Sequence, residues 1–263
     1  MVASLMSALP GSVAQGLIWG ILAIGVYITY KVLDFADLTV DGSLATGGAV
    51  AVMCMLNGAN TYVALILAFL AGMLAGLVTG LFHTALGIPP ILAGILTQLG
   101  LYSINMRIMG KANQAISVMQ YDVLVSLRYI PHACLLTTGF CIVIIALLYW
   151  FFGTEIGASV RATGCNPNMA RAQGINTNAT KVLGLVISNG LVGLAGALYA
   201  QYQGSADINM GRGAIVIGLA AVIIGEVVFG KISQNFGFKL FSVAFGAIIY
   251  YLVLQAVLWM GLN

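Results

Sequence analysis

Polar side chains capable of chemistry are scarce in this chain, and most of them fall in a few places. The densest is "RATGCNPNMARAQGINTNATK", residues 161–181. Asn166 has the side chain that caps a helix start, and Pro167 suits the first helical position, where a missing N–H costs nothing. Gly174 is the residue expected at a left-handed stop. The spacing predicts a helix of about two turns over 167–173, bracketed by Arg161, Arg171 and Lys181. Isolated helices this short are marginal in water, so something must pack on it. Two readings follow: a solvated loop with a chance cap pattern, or a docking helix for a partner in the cytoplasm.

The acids form the second group. They are Asp34, Asp37, Asp41, Asp122, Glu155, Asp207 and Glu226, and three of them fall in "DFADLTVD". An acid at membrane depth costs roughly 2.5–3.5 kcal/mol on insertion scales, so it is usually kept for a reason. The three acids either mark an interfacial connection, or Asp41 caps the short apolar run that begins at Asp41-Gly42-Ser43. In the second case Asp34 and Asp37 matter less, and the helix start points toward a pathway. His83 and His132 stand alone near segment ends and read as interfacial. Cys54, Cys134, Cys141 and Cys165 show no metal-ligand spacing, and Cys134 and Cys141, seven apart in an apolar run, read as packing residues. No Ser/His/Asp or paired-carboxylate arrangement supports an enzyme.

These groups sit in a chain that is 61% hydrophobic and 6% charged, with mean hydropathy +1.04. Soluble domains carry about 25% charged residues. The fold class expected is an all-α, polytopic transmembrane bundle. The net charge of +3 is small and scattered, which gives no footing for nucleic acid. The first apolar run lacks the basic region and cleavage site of a signal peptide and is expected to stay as a helix. Runs long enough to span, at about 20 residues each, lie near 12–30, 61–82, 85–106, 134–152, 181–202 and 238–262. Two shorter runs, 43–56 and Ala214–Phe229, bring the total to about eight. Pro89-Pro90 starts or kinks a helix, and 111–130 reads as an exposed, partly amphipathic excursion. Gly72, Gly76 and Gly80, and again Gly190, Gly193 and Gly196, form smooth stripes for helix packing.

The paired short runs, one in each half, are the usual pointer to a central substrate path in repeat-built transporters. They fit an inverted repeat, although no strong internal identity is visible. Asp207 and Arg212 flank the second run and Glu226 ends it. The candidate pathway residues are Asp41, Ser43, Asp207 and Glu226.

The 161–200 block resembles the signature of bacterial ABC-importer permeases of the branched-chain amino acid, ribose and nucleoside group. Their coupling loop reads roughly "R-A-x-G-x-N-x-x-A-A-R-x-x-G-I-N". This chain matches it at Arg161, Gly164, Asn166, Ala170, Arg171, Gly174, Ile175 and Asn176, and has Met169 where the family often has alanine. The block "YQGSADINMGRGAIVIGLAAVIIGEVVFG" is similar to the same family's next segment, with Glu226 replacing a common glycine. "YKVLDFADLTVDGSLATGGAV" resembles a short subgroup associated with tryptophan or tyrosine uptake. Together the resemblance covers about 12–57 and 155–260.

The resemblance implies a single transmembrane permease unit over 1–263 with a cytoplasmic coupling loop at 153–181. Arg161, Asn166, Pro167, Met169, Arg171 and Gly174 would form the ATPase-coupling set. No G-x-x-x-x-G-K-[ST] occurs, so ATP and magnesium would belong to a separate ATPase subunit, and this chain would hold no cofactor or metal of its own. The further partners implied are an extracytoplasmic substrate-binding protein or lipoprotein and a second permease copy, in the bacterial cytoplasmic membrane. Amino acid uptake is favoured, tryptophan or tyrosine first. Nucleosides, sugars and branched-chain amino acids remain open, as does an ion-coupled carrier using the acids of "DFADLTVD" and Glu226. A docking helix argues against the carrier, which has no ATPase to grip. Placing 153–181 inside puts 231–239, with Lys231 and Lys239, inside as well, and 103–133 outside, with Arg107, Lys111 and Arg128; the second placement runs against the positive-inside rule.

Overall fold

The computed structural model describes residues 2–117, 121, 123–230, 232 and 235–260, with side chains from residue 9 onward. Asp122 and Lys231 lie outside the described residues. The elements run α1 (Val2–Tyr27), a π-helical turn (Ile28–Val32), α2 (Thr39–Leu56), α3 (Thr61–Thr84), α4 (Pro90–Met109), β1 (Asn113–Ala115), α5 (Ile130–Gly153), α6 (Glu155–Cys165), α7 (Pro167–Ala172), α8 (Thr177–Gln203), β2 (Ser205–Asp207), α9 (Ala214–Phe229) and α10 (Phe236–Trp259). Seven helices among the described residues are long and apolar enough to cross a membrane, and α9 is a shorter apolar helix. The chain is a polytopic helical membrane bundle. The short run expected at 43–56 is longer than the sequence suggested. Helix α2 starts four residues earlier and takes in Asp41.

Burial sorts the helices. In the most hydropathic window of each span, 83% of the α1 region, 72% of α2 and 67% of α8 are buried, against 28–39% for α3, α4, α5 and α10. The first three form the centre, and the others turn Leu, Ile and Phe outward. Helix α8 is the axis of the bundle. It can be approached closely because its contact faces are small. Gly76 of α3 lies against the Leu185 carbonyl, and Gly193 of α8 lies against the backbone of Ala68 and Gly72. In lipid this close packing, together with interhelical hydrogen bonds, takes the place of a hydrophobic drive. The hydroxyls follow the same logic. Ser188 Oγ donates to the Gly25 carbonyl at 2.7 Å, and Tyr202 donates to the Gly11 carbonyl at 3.0 Å.

The excursion after α4 is not wholly exposed. Strand β1 pairs antiparallel with β2, with Gln114 opposite Ala206, and Ile116 and Val125 are buried beneath. This small sheet was not foreseen. It closes one end of the bundle.

The contacts fix which ends share a face. Gly164 of α6 sits against the Val32 carbonyl. His83, in the last turn of α3, reaches Lys181 in the first turns of α8 at 3.3 Å. The ends of α1 and α3 and the starts of α4 and α8 therefore share the face that carries α6 and α7. The β1–β2 sheet and the start of α5 lie on the opposite face, where Cys134 Sγ approaches the Pro10 carbonyl.

Helices α2 and α9 begin between those faces. Thr39 of α2 meets Thr79, five residues before the end of α3, about 8 Å in at 1.5 Å per residue. From there α2 runs parallel to α8 toward the opposite face, with Ser43 on Asn189 and Gly47 on Gly193. Helix α9 runs the other way, with Gly218 on Leu22 and Val26 and Glu226 on Lys31. The two short helices start inside the bundle and diverge toward opposite faces.

The packing makes a direct test. Gly76→Leu must displace the backbone of α8, whereas Gly100 of α4 has open space where a side chain would go. Overpacking costs about 1–3 kcal/mol or more. The expected result is a clear drop in the thermal midpoint of detergent-purified Gly76→Leu and no change for Gly100→Leu.

Candidate functional site

Two arrangements carry function-bearing side chains. The first is the α6–α7–α8 connection. Asn166 caps α7, its side-chain oxygen accepting from the N–H groups of Asn168 and Met169 at 3.1 Å each. Pro167 takes the first helical position. The helix stops where Gly174 adopts φ +81°, and the Ile175 N–H returns to the Ala170 carbonyl at 3.0 Å. Asn176 then caps α8 in the same way, through Asn178 and Ala179 at 3.2 Å each.

Only Ala170 of α7 is buried; Met169 is 63% exposed, and Pro167 and Arg171 are exposed as well. The helix is nonetheless tied to the bundle. Arg171 Nε donates to Thr177 Oγ1 at 2.7 Å, and the hydroxyls of Thr163 and Thr180 meet at 2.8 Å in a buried contact. Arg161 lies over the ring of Phe236, 5.8 Å from its centroid. A short exposed helix is thus tied to the start of α8, one of the three central helices.

The second arrangement is the junction where α2 and α9 begin. Asp37 is 2% exposed. Its Oδ1 accepts from the Thr39 N–H at 2.9 Å and its Oδ2 from Asn189 Nδ2 at 2.7 Å. Asn189 in turn accepts from Ser43 Oγ at 2.7 Å. Beside it, the hydroxyls of Thr39 and Thr79 meet at 2.7 Å, Thr79 reaches Thr97 (2.9 Å) and the Ala75 carbonyl (3.2 Å), and Thr97 donates to the Ala93 carbonyl (3.0 Å); with Thr39 as donor to Thr79 and Thr79 to Thr97, each hydroxyl hydrogen is used once. Asp41 faces the other helix start. Its carboxylate accepts from the Gly213 N–H at 3.0 Å and the Ile215 N–H at 2.9 Å.

This geometry corrects two expectations. Asp41 does not cap its own helix; it caps α9, and the donor for α2 is met by Asp37. Asp37 is no interfacial bystander, because it joins α2 to α8. Asp34 is exposed, with φ +53°, and it alone of the three keeps the interfacial character expected of it.

The four candidate pathway residues are not brought together. Ser43 is fully buried and satisfied by Asn189. Asp207 lies in β2, accepting from Asn113 Nδ2 at 3.2 Å and the Asn209 N–H at 2.7 Å. Glu226 pairs with Lys31 at 3.0 Å near the face of α7. Asp41 stands at the junction with an open cavity beside it, lined also by Gln98, Tyr102, Asn105 and Arg212, and Asp207 lines a separate cavity of about 270 Å3 beside the sheet. Asn189 was missed in the sequence. Its signal was a carboxamide in the apolar run "VISNGLVGLAG", where an intramembrane polar residue points to an interhelical hydrogen bond.

Residues 9–262 match the family described as the branched-chain amino acid transport system permease component. A tyrosine transport system permease protein of Clostridioides difficile is 42% identical over 226 residues, which cover 86% of this chain and 75% of that protein. An uncharacterized protein of Rickettsia prowazekii is 35% identical over 263 residues, 98% of this chain and 91% of that one. A nucleoside ABC transporter permease protein of Lactococcus lactis is 37% identical over 91 residues, 34% of this chain and 29% of that protein.

The junction predicts an order of effects. Asp37→Ala and Asp41→Ala each strand buried backbone or amide donors, at about 1–3 kcal/mol. Asp34→Asn keeps a residue that tolerates the left-handed region and should be silent. Thermal midpoints in detergent should fall for the first two and hold for the third. Equal, mild shifts at all three positions would remove the capping assignment.

Proposed function

The chain belongs to the permease family of branched-chain amino acid transport systems, and on that premise we propose that it is the membrane subunit of an ABC importer for amino acids, with tyrosine and tryptophan the favoured substrates. The observation that carries the reading is α7. A two-turn helix that buries only Ala170 has no reason to be held in place by two caps and a side-chain tie unless a partner completes its packing. The partner proposed is the ATPase subunit, which binds ATP and magnesium. Met169 and Arg171 would be its main contacts, Met169 as an adaptable apolar knob and Arg171 as a charge. Asn166, Pro167 and Gly174 shape the helix, and Arg161 steadies α6 on Phe236.

Charge supports the orientation. The face of α7 carries Lys31, Arg161, Arg171, Lys181 and Lys239, while the opposite face carries Arg107, Lys111 and Arg128, with Arg212 in the segment that leads from that face to α9. The more basic face is assigned to the cytoplasm. The chain then spans the bacterial cytoplasmic membrane as one permease unit, with the 153–181 loop inside. The β1–β2 face, with Asp207, would meet the extracytoplasmic binding protein.

Transmission follows from the bonds. A push on α7 passes through Arg171–Thr177 and Thr163–Thr180 to α8. Asn189 of α8 holds Asp37 and Ser43, so a shift of α8 moves the start of α2. Two such permeases on two ATPases, with the path near the two-fold axis, would form the working assembly. The tyrosine permease relative, at 42% identity, supports the amino acid reading over most of the chain; nucleoside and sugar import permease relatives, at 37% and 25% identity, support the alternative less.

The test separates docking from folding. Met169→Asp should leave the thermal midpoint unchanged yet cut co-purification with the ATPase at least tenfold and abolish ATP-driven uptake. Normal uptake by this variant would overturn the docking role. In proteoliposomes holding permease, ATPase and binding protein, uptake of uridine or ribose but not of tyrosine or tryptophan would overturn the substrate while leaving the importer reading in place.

A further inference from the structure

The cavity beside Asp41 is small, about 120 Å3, and polar side chains make up much of its lining. Helix α2 lends it Asp41, Gly42 and Ala45, and the approach to α9 lends it Ile208 and Arg212. Helix α4 lends it Gln98, Tyr102 and Asn105, spaced four and three apart and therefore on one face. Asn105 is the informative residue. It is 1% exposed, and neither its amide nitrogen nor its amide oxygen has a hydrogen-bond partner among the described residues. Buried amides are nearly always satisfied, so an orphaned one lining a cavity calls for a ligand. Asp41 has lone pairs left after accepting from Gly213 and Ile215, since an ionised carboxylate can accept about four hydrogen bonds. The exposed Arg212 adds a cation to the same cavity.

We propose that this cavity is a subsite for the head of an α-amino acid. The ammonium group is taken by Asp41 and the Asn105 oxygen, and the carboxylate by Arg212 and the Asn105 nitrogen. The proposal rests on the amino acid reading above and adds a site to it. The charge pattern selects against the rival ligands. A phosphate would face Asp41, and a sugar would leave both charges unmatched. Size sets the rest. Cavities that enclose a whole small molecule run to about 300–1,000 Å3, so this one holds the head alone. The side chain lies outside, along Leu99 and Tyr102, which are 64% and 42% exposed. The site therefore reads the zwitterion and tolerates different side chains.

The experiment is ligand-observed NMR on the permease in lipid nanodiscs, with three probes of equal ring chemistry: L-tyrosine, tyramine without the carboxylate, and 3-(4-hydroxyphenyl)propionate without the ammonium. L-tyrosine should bind at least tenfold tighter than either analogue. Asn105→Leu and Arg212→Gln should each weaken it at least tenfold. Asn105→Leu replaces an unsatisfied amide with an apolar group of similar size, so its thermal midpoint should hold or rise while binding is lost. A merely structural Asn105 would show a lowered midpoint with binding retained, and that result overturns the proposal. Equal binding of the three probes, or no binding of L-tyrosine, overturns it as well. Co-purification of the same sample with the ATPase reports on the importer reading separately, so one can fail without the other.

Discussion

A helix that begins inside an apolar bundle brings N–H donors to a place where water cannot satisfy them. That constraint shapes the centre of this protein. In hydrocarbon each unsatisfied backbone group costs several kcal/mol, and irregular backbone is tolerated only where protein or a cavity supplies partners. Helices α2 and α9 both start in such a place. Asp37 meets the donor of Thr39 at one start, and Asp41 meets Gly213 and Ile215 at the other. The positive end of each helix dipole also stabilises the carboxylate beside it. The acids and the broken helices therefore require each other.

The same constraint gives α8 its role. Its Asn189 hydrogen-bonds both Asp37 and Ser43, so it binds α2 to the central axis by polar bonds rather than by shape alone. Elsewhere α8 offers glycine and alanine, and its neighbours come close enough for their backbones to touch. A helix held this way is stiff along its length. Its first turn carries Thr177 and Thr180, which are bonded to Arg171 and Thr163. One end of α8 is thus tied to an exposed helix on the surface, and its middle is tied to the helix starts in the interior. That continuity would let a push on the exposed helix reach the helix starts in the interior.

The junction also combines firmness with incompleteness. Most of its polar groups are satisfied: the threonine chain uses every hydroxyl hydrogen, and both oxygens of Asp37 are engaged. Asn105 stands apart from this order. A satisfied network specifies one structure, whereas an unsatisfied group beside a cavity leaves room for something to bind.

The sequence by itself determined whatever depends on local pattern. Hydropathy marked the spans, with the boundary of α2 misplaced because Asp41 was taken to precede the helix rather than to lie within it. The caps at Asn166 and the stop at Gly174 were legible, since capping is set by residues two or three positions away. The glycine stripes announced close packing, although not that α8 is their shared partner. Only the tertiary structure decided which donors the acids would meet. Asp41 reaches N–H groups 172 and 174 residues further along the chain, and Asp37 reaches an amide 152 residues on. No spacing rule within a helix could connect them. A carboxylate accepts from whichever donors the fold brings within about 3 Å, and in a folded helical bundle those donors come from distant parts of the chain.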